Sequence, residues 1–121
     1  MKVIRKIIWM GNALKQLKRF PEEVKDGVGY ALYQVQYGGI PIKAKPLKGL
    51  KPGVMEIVSD DCGNTYRTVY AVKIDKNIYV LHCFQKKSKT GIKTSKQMIE
   101  LIRQRLREAE RLSKHKKEEF Q

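Results

Sequence analysis

The rhythm of apolar positions changes several times along the chain, and each change marks an element. Val3 to Trp9 is rich in β-branched and aromatic residues and predicts a first strand. Asn12 then caps a short helix that places Leu14, Leu17 and Phe20 on one face. Pro21 ends that helix and opens the next in its first turn, where Glu22 and Glu23 complement the helix dipole. Val24, Val28, Ala31, Leu32 and Val35 recur at helical spacing until Gly38-Gly39 stops the run, so the two helices form an αα-hairpin. Ile40 to Gly53, interrupted by Pro41, Pro46 and Pro52, reads as a loop or an irregular edge.

Beyond it the period drops to two. Val54–Val58, Tyr66–Ile74 and Ile78–Gln85 read as strands, joined by Asp60-Asp61-Cys62-Gly63-Asn64 and by Asp75-Lys76-Asn77, and make an antiparallel meander. Thr94-Ser95-Lys96-Gln97 has capping-box form, with Thr94 at the cap. The helix that follows buries Met98, Leu101, Ile102, Leu106, Ala109 and Leu112 and turns Glu100, Arg103, Arg107 and Arg111 outward. That stripe is a core face rather than a cofactor box. The charged stretch from Ser113 is expected to fray, leaving 114–121 as a tail.

Strand, two helices, meander and helix add up to an α+β protein. The expected sheet has four strands, with an N-terminal helical hairpin and a C-terminal helix on one face and the other face open to a ligand. The length suits a single domain over 1–121, with no repeat or linker.

Charge gives that open face a purpose. Lys and Arg number 26 against 12 Asp and Glu, a net charge of +14 on 121 residues. Such an excess attracts polyanions and speeds their encounter, so nucleic acid or an acidic protein is the expected partner. A membrane is the weaker candidate. No apolar run reaches spanning length, and no helix joins a strongly apolar face to Trp and Phe anchors. The basic N-terminus lacks a signal-peptide core and cleavage site, and Cys62 and Cys83 lack CxxC spacing. A cytoplasmic protein with no disulfide, metal or small-molecule cofactor is expected, Cys83 being a buried free thiol and Cys62 a turn residue.

Several chemistries lack their residues. Metal-dependent cleavage needs clustered carboxylates, yet only Glu56, Asp60 and Asp61 lie near the sheet, and Glu56 pairs more plausibly with Arg67 on the neighbouring strand. His82 within a strand reads as packed and hydrogen-bonded, and His115 falls in the tail. Lys48-Gly49-Leu50-Lys51-Pro52-Gly53 lacks P-loop order. What remains is cation density: Arg67, Lys86 and Lys87, with the loop lysines Lys43, Lys45 and Lys48, suit a phosphodiester. RNA brings its own nucleophile, the 2′-hydroxyl, so no protein carboxylate or metal is strictly required. On this reading Arg67→Ala abolishes activity and leaves a folded protein. Strand alternation lets only one of Lys86 and Lys87 face the cleft.

One resemblance sharpens this. Lys45-Pro46-Leu47-Lys48-Gly49-Leu50, Gly53-Val54-Met55-Glu56-Ile57, Thr65-Tyr66-Arg67-Thr68-Val69-Tyr70 and Tyr79 to Lys89 together resemble the RelE/HigB-like toxins of bacterial type II toxin–antitoxin systems, in their phage-derived HigB-type branch. The similarity continues through Gly91-Ile92-Lys93-Thr94 and covers most of Lys45 to Glu110, with Ser95 standing where that branch commonly has proline. The resemblance implies a RelE-type fold, endoribonuclease activity on mRNA, often ribosome-bound, and neutralisation by a helix-turn-helix antitoxin. It implies that Arg67 and Lys86 or Lys87 are catalytic contacts to the scissile phosphate; Lys43, Lys45, Lys48 and Lys89 are expected, by their charge, to be RNA contacts. The alternative is a non-catalytic basic module that grips RNA, the ribosome or a protein, since charge alone fits both.

Overall fold

The structure is a computed structural model that describes residues 4–86 and 94–119. Its elements are β1 (Ile7–Trp9), α1 (Ala13–Leu17), α2 (Glu22–Gln36), β2 (Ala44–Pro46), β3 (Val54–Asp61), β4 (Asn64–Ala71), β5 (Ile78–Lys86) and α3 (Lys96–Glu119). The α+β class, the helical hairpin and the β3–β4–β5 meander stand as expected. The sheet has five strands rather than four, in the order β1-β5-β4-β3-β2. The added strand is β2, cut from the proline-rich stretch and paired antiparallel to β3, with Lys45 opposite Glu56. β1 runs parallel to β5, Ile7 opposite Ile78.

The helices do not share one face. Ile57, Tyr66, Tyr70, Val80 and Cys83 pack under α1 and α2 with Leu17, Val24, Val28 and Leu32. Val54, Val69, Leu81 and Phe84 pack on the opposite side under α3 with Ile102, Leu106 and Ala109. The expected open face is therefore covered by α3. The clue lay in β5, where Ile78 to Phe84 is buried without a break. A continuous apolar run, unlike an alternating one, signals a strand covered on both faces.

Between β4 and β5 the register slips. Val69 pairs with His82 but Tyr70 pairs with Val80, so Leu81 is an extra residue on β5. Such a bulge shifts the alternation of everything beyond it. Leu81 and His82 both turn toward α3, and Phe84 follows onto that side.

Several details of the helices differ from expectation. Leu14 is on the exposed side of α1 and Ala13 is buried in its place. Pro21 precedes α2 as its cap residue. Asn12 makes no capping bond; its Oδ1 accepts from Arg105 Nη2 at 2.8 Å. Arg105 also donates through Nη1 to the Leu81 carbonyl at 2.9 Å and to His82 Nδ1 at 2.8 Å, tying α3 to β5 and α1. Gly11, at φ +51°, leaves room for it, since a Cβ there would lie 2.8 Å from the guanidinium carbon. At its far end α3 stays helical to Glu119, where a tail from 114 was expected to fray. Ser113 is buried, and its hydroxyl donates to Asp75 Oδ2 at 2.5 Å in the β4–β5 connection.

His82 carries a pH dependence. Burial, with Arg105 adding repulsion, lowers its pKa to about 4. The unfolded chain binds the proton below about 6.5 and the folded one only below about 4, so stability falls as pH drops through that window. Between pH 7 and 4.5 this site is expected to remove about 2–3 kcal/mol. Urea midpoints at the two pH values should therefore differ by less in His82→Gln than in the parent. An equal difference in both proteins would assign the acid sensitivity to other groups.

Candidate RNA-cleavage site

Glu56 on β3 and Arg67 on β4 lie on the α3 side of the sheet, Glu56 opposite Val69 and Arg67 opposite Val58 and Phe84. Arg67 Nη1 donates to Glu56 Oε1 at 2.8 Å. The two side chains are 3% and 1% exposed, so the pair is fully desolvated. Thr94 donates its hydroxyl to Glu56 Oε2 at 2.9 Å, closing the other carboxylate oxygen. This gives Thr94 a different task from the expected cap. Ser95 caps α3 instead, its Oγ accepting the Met98 N–H at 3.2 Å. Two adjacent hydroxyls could each have capped, and only the buried carboxylate beside Thr94 separates them.

Above this polar floor is a cavity of about 420 Å³. Lys45, Lys48 and Gly49 border it on the β2 side, with Thr94 and Ile99 at the start of α3 opposite. Lys45 reaches that side because it faces Glu56 across the β2–β3 ladder. Both lysines are exposed, so their ammonium groups are available to an anion. The sequence reading put Arg67 on an open face; it is buried instead, because its side chain reaches Glu56 and pairs with it in the interior.

The remaining predicted residues divide. Lys43 is exposed and outside the cavity lining, and its carbonyl accepts the Val58 N–H at 3.2 Å. Lys86 is half-buried at the end of β5, opposite Thr65. Because of the bulge at Leu81, the alternation that carries Phe84 to the α3 side carries Lys86 there too, on the same face as Arg67. Lys87 and Lys89 lie outside the described residues. Glu56 was foreseen as the partner of Arg67; Thr94 as part of the site was not.

The arrangement offers two exposed ammonium groups over a neutral, rigid pair of buried charges. An anion entering the cavity meets Lys45 and Lys48 first, and the Glu56–Arg67–Thr94 contacts hold the floor in place. Other groups are ill placed for chemistry at neutral pH. Cys83 is buried, and burial pushes its thiol up to about 12. His82 is a neutral, packed side chain. Among the described residues, no three His, Cys, Asp or Glu side chains come together as a metal site would require. No helix among them is long and apolar enough to cross a membrane.

The family model described as "Phage derived protein Gp49-like (DUF891)" matches residues 15–107, more than three quarters of the chain. The chain belongs to this Gp49-like family. The match takes in the whole of the sheet from β2 onward, α2 and the first half of α3, and so every residue of the cavity. No curated protein matches the chain. Among solved structures it is similar to the toxin–antitoxin complex RelBE2 from Mycobacterium tuberculosis, at 17% identity and a TM-score of 0.44, covering 73% of this chain and 98% of that one.

Proposed function

We propose that this Gp49-like protein is the toxin of a toxin–antitoxin pair and that it cuts RNA, acting on mRNA under translation. The observation that carries this reading is the pair of exposed lysines, Lys45 and Lys48, over the cavity floored by Glu56, Arg67 and Thr94. Membership in a phage-derived family supports it, as does the sequence resemblance to phage-derived HigB-type toxins. The cavity takes the scissile phosphate, with Lys45 and Lys48 offsetting the charge that builds on its oxygens. The RNA 2′-hydroxyl attacks the phosphorus and gives its proton to water, the P–O5′ bond breaks, and the departing 5′-oxygen takes a proton from water. The products are a 2′,3′-cyclic phosphate and a 5′-hydroxyl. Lys86, on the Arg67 face, extends the basic track along the RNA, and Lys43 adds to its approach; Lys87 and Lys89 are further RNA contacts in this reading by their charge alone. A helix-turn-helix antitoxin holds the protein inactive in the cytoplasm of the cell that makes it.

Inducing the protein with and without the product of its neighbouring reading frame, and mapping mRNA ends after induction, tests this directly. New internal 5′-hydroxyl ends that vanish when the neighbour is co-expressed are the expected result. RNA bound but left intact would favour the binding-module reading, for which one observation already speaks: Arg67 has its charge balanced by Glu56.

No metal ion is called for in this mechanism. Cleavage of a ribosome-free RNA is therefore expected to persist in EDTA at the rate seen without it. Loss of cleavage in EDTA with rescue by a divalent ion would contradict it.

A further inference from the structure

A second and larger hollow, about 740 Å³, opens beside the first, between the C-terminal end of α2 and the β2–β3 edge of the sheet. Its walls are mainly apolar, with Val35 from α2, Met55 from β3 and Val72 just past β4 among them. Ile40 stands on its lip at 76% exposure, an apolar side chain that water meets almost entirely. Such exposed apolar surface is what interaction sites present.

The polar part of the lining has one sign. Among the described residues Arg5, Lys48, Lys51 and Lys73 border the groove and no Asp or Glu does. Lys51 is already paired with Glu110 of α3, which leaves Arg5, Lys48 and Lys73 to set the local potential. Tyr70 at the wall adds no negative charge, since burial raises its hydroxyl to about 12. Gly53, at φ +97°, keeps Lys73 against the groove: a Cβ there would come within 2.8 Å of the Lys73 stem.

We propose that this groove is the seat of an amphipathic, acidic segment of the neutralising partner, with apolar side chains among Val35, Met55 and Val72 and carboxylates on Arg5, Lys48 and Lys73. This rests on the toxin reading and names how the partner engages the site. Pro46, Leu47 and Lys48 border both hollows. A segment seated in the groove therefore takes the Lys48 ammonium from RNA and stands over the mouth of the cavity. The charge complementarity selects the occupant. RNA bases seek flat aromatic faces to stack on, whereas Val35, Met55 and Val72 give aliphatic walls, and a second copy of a chain at +14 would bring further positive charge to a basic rim. Direct capture of Arg67 by partner carboxylates is disfavoured, because Glu56 already occupies that guanidinium out of reach of solvent.

The probe is a 16-residue synthetic helical peptide with leucines at i, i+3, i+4 and i+7 spacing and glutamates elsewhere, followed by fluorescence anisotropy on the full chain. It is expected to bind saturably. Ile40→Asp and Lys73→Glu, neither in the cleavage cavity, are each expected to weaken it tenfold or more. The same peptide with serine for leucine, or lysine for glutamate, is expected not to bind. Equal binding of the serine peptide would overturn the proposal, since charge alone would then suffice. So would undiminished binding by both variants. Self-association of the free chain that Ile40→Asp abolishes would assign the groove to a second copy and overturn it as well. RNA cleavage by Ile40→Asp and Lys73→Glu is measured separately and is expected to match the parent. Failure of cleavage in the parent would count against the toxin reading alone, because peptide binding does not depend on it.

Discussion

Arg67→Ala is expected to lose about 3–5 kcal/mol of folding stability, the cost of leaving one partner of a buried ion pair without the other. The alanine removes the cation from Glu56, which at 1% exposure has no water to replace it, only the Thr94 hydroxyl. On an open face Arg67→Ala would stay folded and test activity alone; in this buried position a silent variant could simply be unfolded. Urea unfolding of four proteins separates the effects: the parent, Arg67→Ala, Glu56→Leu, and the double Glu56→Leu/Arg67→Met. Each single variant is expected to drop steeply. The double variant should recover most of the loss, because apolar replacement of both partners removes the need to desolvate charge. If Arg67→Ala unfolds within about 1 kcal/mol of the parent, the pair is not the desolvated one described above.

Lys45→Ala/Lys48→Ala is expected to keep the parent's stability and lose RNA cleavage by a factor of a hundred or more. Both side chains are exposed, so their removal leaves no buried group unpaired. A charge-assisted contact to phosphate contributes about 1.5–3 kcal/mol, and two of them together reach about 3–6 kcal/mol. Lys43→Ala is the internal control. It has the same charge and lies two residues away on the same edge, yet it is outside the cavity lining, so its effect should be small. Cleavage rates of the parent and the two variants on one RNA, with melting temperatures alongside, give the comparison. Equal losses from Lys43→Ala and the double variant would mean that overall charge, not this cavity, holds the RNA.

Much of the fold was written in local patterns. The meander, the helical hairpin and the long last helix follow from period and punctuation, which neighbouring residues set among themselves. The +14 charge is additive, so it is independent of folding. The pairing of Glu56 with Arg67 was also legible, because opposite charges on adjacent strands find one another in any register that puts them on one face.

What the tertiary structure alone decided concerns faces and depth. Whether α3 joins α1 and α2 or crosses to the other side depends on which surface of the sheet is left to bury, not on the stripe of α3 itself. The choice between Thr94 and Ser95 as cap was settled by a carboxylate 38 residues away. Lys86 shares the Arg67 face because a single extra residue, Leu81, shifts the two-residue period of β5, and the apolar run there reads the same with or without it. Burial took Arg67 from solvent, and the exposed cations over it are Lys45 and Lys48, brought to the site by a three-residue strand inside a proline-rich stretch. Local sequence sets which residues form an element; contacts between elements set which side of it meets water, and here that side holds the candidate chemistry.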